Sequence, residues 1–144
     1  MRDDERKRLN EKKLAELEPD FKIKVDFLLS CLESRGWHVY IASAFRSLPE
    51  QQKKVADGKS RTMKSKHVLT TADGRPAAQA VDIVDSRWAW NMPKDALELF
   101  IDFLADMDSA TTDLGLTWGG RGEWWLEHYP PHGDWAHVEA ENLP

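Results

Sequence analysis

Asp82 lies inside Gln79-Ala80-Val81-Asp82-Ile83-Val84, a short run that otherwise reads as an apolar strand. A carboxylate is expensive to bury there without a partner. A metal ion or an arginine would answer the charge, and an exposed strand face would avoid the cost. A second polar residue in an apolar strand pattern is His137, within Trp135-Ala136-His137-Val138-Glu139. Alone, such a histidine is more often a satisfied core residue than a ligand. Asp134 stands three positions earlier, at the entry to the same strand. An acid so placed could reach a metal-activated water without filling the coordination sphere.

The other elements follow from periodicity. Residues 2–18 are dense in charges of both signs, with Leu9, Leu14 and Leu17 as apolar points. They predict a solvated helix with a thin apolar stripe, broken at Pro19. Asp20 is a candidate cap for a core helix carrying Phe21, Val25, Leu28, Leu29 and Leu32, ended by Gly36. Trp37 to Ala44 reads as the first strand. Ser47 and Glu50 form a capping box for a helix from Leu48 to Ala56. Residues 59–79 are turn-rich. Asn91 is a candidate cap for a helix running through Leu97, Phe100, Ile101, Leu104 and Met107. Leu116-Thr117-Trp118 is a short strand. Trp124 to Pro131 is an irregular loop, and residues 135–139 form the last strand. The pattern predicts one α+β domain over 1–144, with a small, mostly antiparallel sheet backed by helices.

Composition excludes several classes. The net charge is −5, from 20 Lys+Arg against 25 Asp+Glu, which argues against a nucleic-acid partner. Cys31 is the single cysteine, so no internal disulfide can form, and its apolar helical setting predicts plain burial. No apolar run approaches the ~20 residues of a membrane span, so no membrane insertion is expected. No signal peptide is visible at the N-terminus.

Five histidines are available: His38, His67, His128, His132 and His137. His38 sits in a strand pattern far from other donors and reads as structural. His128 and His132 lie in a Pro-rich loop and are helpers at most. Cys31 has no base nearby in sequence, no Gly-rich phosphate loop follows a strand, and Ser43 and Ser65 lack a nucleophile motif. The helical zinc motif His-Glu-x-x-His is absent.

Three short motifs occur in order: Ser65-Lys66-His67, Ala80-Val81-Asp82 and Asp134-Trp135-Ala136-His137. Phe45-Arg46-Ser47 and Gln51 precede them, and Trp118-Gly119-Gly120 and Glu139 accompany the last. Over roughly residues 20–140 the chain resembles the zinc peptidases that include D-alanyl-D-alanine carboxypeptidases and phage L-alanyl-D-glutamate endolysins, whose fold is shared with the hedgehog signalling domain. The resemblance implies one Zn2+ held by His67, Asp82 and His137. It also implies Asp134 as general base and Arg46 as the group that stabilises the carbonyl oxyanion or a substrate carboxylate. Ser65, Gln51 and Trp135 would meet substrate, with Trp124 and Trp125 as further groove candidates. The stretch from Val68 to Val81 is longer than in the compact family motif and predicts an inserted hairpin or lid. Ala78 stands where the family often has glycine.

The implied function is hydrolysis of peptidoglycan stem peptides by a monomer, as an endolysin cutting L-Ala-D-Glu or as a D-Ala-D-Ala carboxypeptidase. An endolysin without a signal peptide would be made in the cytoplasm and reach the wall through a membrane pore made by another protein. Two other classes compete. One is a non-catalytic zinc-binding recognition module. The other is a small acidic interaction protein whose His and Asp residues never meet.

Overall fold

The computed structural model describes residues 1–60, 62–111, 115–120, 126–127 and 132–141. Its elements are α1 (Asp3–Leu14), α2 (Pro19–Ser34), β1 (Val39–Ser43), α3 (Leu48–Ala56), β2 (Ala80–Asp85), α4 (Lys94–Thr111), β3 (Leu116–Trp118) and β4 (His137–Ala140). A short 3-10 turn, Lys66–Val68, lies between α3 and β2. The strands form one four-stranded sheet in the order β1-β2-β4-β3, antiparallel at every junction. The architecture is therefore the α+β fold expected from the pattern.

Strand alternation sorts the sheet into two faces. Val39, Ile41, Val81, Ile83 and Val138 join the core with Phe21, Val25, Leu28, Leu29 and Leu32 of α2 and Phe100 and Leu104 of α4. Asp82 and His137 sit on the opposite face and are directly paired across β2 and β4, as are Ala80 and Glu139. The register alone thus brings the acid and the histidine side by side.

Several boundaries differ from expectation for local reasons. Pro19 opens α2, where its fixed φ suits the first turn. Glu18, not Asp20, caps that helix by accepting from Asp20 N and Phe21 N. Asn91 lies too early to cap α4, because the Pro93 carbonyl already accepts from Leu97 N. Trp37 falls outside β1 and packs edge-on against Phe100, with ring centroids 5.0 Å apart. Cys31 is half-buried. Leu14 and Leu17 join the core as expected, but helix α1 also buries Arg6 and Asn10. Asn10 donates to Val39 O at 3.0 Å and accepts from Ile41 N at 2.9 Å. Arg6 also donates to Val39 O, at 3.0 Å, and pairs with Glu33 at 2.7 Å.

The insertion is a hairpin. Thr70 pairs with Pro76, Thr71 N donates to Arg75 O, and Ala77 N donates to Leu69 O. Ala78 is fully buried and exchanges backbone hydrogen bonds with Glu16 and Glu18, so the position takes a Cβ without conflict. No helix among the described residues is long and apolar enough to cross a membrane.

At the end of β2, Asp85 is 0% exposed. It accepts from Arg87 Nε, Nη2 and N and from His38 N, all within 3.0 Å. Burial raises its pKa, but these donors win and hold it below the usual Asp value. The pair therefore stabilises the fold above about pH 4 and loses that contribution as pH falls through the lower folded value. Asp85→Ala is expected to cost about 2–3 kcal/mol, discounted because Arg87 is partly in water. A urea or thermal melt measures it.

Candidate metal centre

The site forms where the 3-10 turn meets the polar face of β2 and β4. Ser65 caps the turn by accepting from His67 N at 3.1 Å. Gln79 N donates to Lys66 O, which fastens the turn to the start of β2. His67 is 2% exposed, Asp82 6% and His137 8%. Donor atoms from these three residues all lie within 4.8 Å of one another. The interaction-protein reading, in which they never meet, is thereby excluded.

The ring nitrogens are already assigned by their neighbours. His67 Nδ1 lies 2.6 Å from the Ala44 carbonyl, which can only accept, so Nδ1 carries the proton. His67 Nε2 is left buried with no hydrogen-bond partner among the described residues, 3.7 Å from Asp82 Oδ2. Such an atom is costly unless something electrophilic completes it. On the other side, His137 Nδ1 lies 3.3 Å from Asp82 Oδ1. Two imidazoles and one carboxylate make a three-ligand set of the kind that binds zinc and leaves one position open. The residues present fit the ion.

The charges agree with that reading. Burial is the largest influence on His67 and lowers its pKa to about 4, so it is neutral at pH 7. Burial also opposes the charged forms of Asp82 and His137, but their hydrogen bond and attraction prevail. Asp82 falls to about 2, and His137, also bonded to Glu139, rises to about 10. A proton on His137 thus does part of a cation's work between the carboxylates. Asp134 is raised to about 6, first by burial and then by the Asp82 charge.

Asp134 sits just outside the three-residue cluster, its Oδ2 3.8 Å from His137 Nδ1 and its side chain 37% exposed. Two glycines place it. Gly133 adopts φ +66°, a left-handed conformation that side chains disfavour. Gly119 takes a hydrogen bond from Asp134 N and gives one to His137 O. A Cβ on Gly119 would stand 2.5 Å from the Asp134 carbonyl oxygen and 3.0 Å from His137 Cβ. Gly119→Ala is expected to cost about 1–3 kcal/mol and to displace Asp134. A melt together with a turnover assay checks both parts. This close approach explains the glycine after Trp118.

Arg46 donates to Asp82 Oδ2 at 3.1 Å and to Gln51 Oε1 at 3.1 Å. Gln51 is 0% exposed and spends its amide on Ser60 Oγ and Thr62 O. It was expected at the substrate, but it stands behind Arg46 and aims it. Ser65, expected there too, shapes the turn that carries His67. Trp135 is half-buried, stacked edge-on between Phe100 and Trp90 at 5.9 and 5.8 Å. Its carbonyl accepts from Trp118 Nε1. Trp124, Trp125 and His128 lie outside the described residues. His132 is described and stands outside the three-residue cluster. Lys66, which the motif reading passed over, pairs with Glu139 at 2.9 Å beside the site.

No family model and no curated protein matches the chain. Solved structures do. The L-Ala D-Glu endopeptidase ChiX of Serratia marcescens superposes with a TM-score of 0.62 at 18% identity, covering 92% of this chain and 86% of that one. The LD-carboxypeptidase LdcB, whose structure concerns peptidoglycan recognition, superposes with a TM-score of 0.51 at 17% identity. That match covers 86% of this chain and 65% of LdcB. At these identities the likeness is one of architecture, and the chain has the fold of the endopeptidase ChiX.

Proposed function

We propose that the chain is a zinc peptidase that hydrolyses peptidoglycan stem peptides, with L-Ala-D-Glu as the bond cut. The observation that carries this is the buried His67–Asp82–His137 cluster with Asp134 at its rim, set in the fold of an L-Ala D-Glu endopeptidase. His67, Asp82 and His137 would hold the ion. When bound, zinc supplies Lewis acidity that polarises a carbonyl and acidifies water. Asp134 would accept the water's proton and deliver it to the leaving amine, a task suited to a carboxyl raised toward neutrality. Arg46, held by Gln51, would face the charge that develops on the carbonyl oxygen. The base at the rim and the guanidinium beside the cluster favour catalysis over a recognition module, which needs neither.

The finer reading is a phage or prophage endolysin acting as a monomer and released through a pore made by another protein. A carboxypeptidase is the second reading, favoured by the likeness to LdcB. Mass spectrometry of purified peptidoglycan fragments after digestion, with and without a chelator, separates them. The endopeptidase frees the stem from its L-alanine, whereas the carboxypeptidase removes one terminal residue. No metal-dependent product of either kind would sink the proposal.

A further inference from the structure

Glu139 follows His137 by two positions and so shares its face of β4. Its Oε1 accepts from His137 Nε2 at 2.9 Å. Its Oε2 lies 2.9 Å from Lys66 Nζ, and both side chains are 18% exposed. Lys66 Nζ also donates to the Ala140 carbonyl. Lys66 immediately precedes His67, so this ion pair joins the two segments that carry the two histidines.

We propose that Glu139 and Lys66 are positioning residues for the metal site. Glu139 holds the proton of His137 on Nε2 and leaves the lone pair on Nδ1, the nitrogen that faces Asp82. Lys66 anchors Glu139 from the opposite side of the carboxylate. The Ala44 carbonyl does the complementary job for His67, keeping its proton on Nδ1 and its lone pair on Nε2. The two histidines therefore offer opposite nitrogens, each selected by an acceptor behind it. The inference rests on reading His67, Asp82 and His137 as the zinc set.

The test is zinc affinity by competition with a chromophoric chelator, paired with the melting temperature of the metal-free protein. Glu139→Ala is expected to weaken zinc by about 10–100-fold. Glu139→Gln keeps an oxygen acceptor and should recover most of that loss. Lys66→Met should fall between them. If Glu139→Ala lowers only the melting temperature and leaves zinc affinity within about twofold of wild type, the pair is a structural staple and the proposal fails. A glutamine variant as weak as alanine would also overturn it. If the alanine variant does not fold, Glu139→Met fills similar space without an acceptor and takes its place. Independently, the zinc-loaded wild type should show an exchange-protected Nε2 proton on His137 by NMR, and its absence contradicts the proposal. Failure of the wild type to bind zinc would instead overturn the proposed function.

Discussion

Asp134→Ala is expected to keep its zinc and to lose about 10²–10⁴-fold in peptide cleavage. The carboxylate is outside the buried three-residue cluster and 37% exposed, so its removal leaves the ligand atoms in place. What goes is the proton carrier. Metal analysis and turnover on the same preparation decide the matter. Normal turnover would remove Asp134 as the base, and loss of the metal would move it among the ligands. The pH profile adds a sign. Asp134 ionises at about 6 without metal, and a neighbouring cation pulls that value down. Activity should therefore fall on an acidic limb below about pH 6, and Asp134→Ala should lose that limb.

His67→Ala is expected to abolish stable zinc binding. The wild type should hold about one ion per chain, as a three-ligand site with an open position does, and the variant close to none. The reason is the buried Nε2, which has no other partner among the described residues and cannot be replaced by solvent. About one zinc retained in the variant would rule His67 out as a ligand. Binding to the wild type should also release a proton near neutral pH, because His137 titrates at about 10 in the metal-free state. Affinity should rise with pH until that proton is gone. The sign is opposite for stability of the metal-free chain. The raised His137 contributes fully below its ordinary value near 6.5 and loses that contribution as pH passes about 10.

Asp82 and His137 were legible because each is an odd residue in a regular strand pattern, and His67 because the order of all three matched a known set of motifs. The register of β2 and β4, which periodicity alone does not give, puts Asp82 and His137 on one face. The core helix and the capping box of α3 were legible for the same local reason. What escaped was non-local. Arg6 and Asn10 looked like a solvated helix face, yet they meet a strand some thirty positions away, at separations of 33 and 29. Gln51 looked like a substrate contact because it sits near Arg46 in a motif, and nothing local reveals that its amide is consumed by Ser60 and Thr62. The Lys66–Glu139 pair joins residues that only the closed sheet brings together. Asp85 was invisible because its partner, Arg87, follows a strand end whose turn has to be seen.

Helix α1 also covers an edge of the sheet. Strand β1 is the outermost strand on its side of the sheet. An outer strand is a template on which another chain can add itself. Asn10 answers both a carbonyl and an N–H of that strand, and Arg6 answers the same carbonyl again, so the helix imitates a fifth strand with side chains alone. A chain trimmed of residues 1–14 would retain every member of the metal cluster but expose the template. It should pair edge to edge and sediment as a concentration-dependent dimer. The charged N-terminal helix, remote from the metal cluster, would then be the element that keeps the sheet edge from pairing with a second copy.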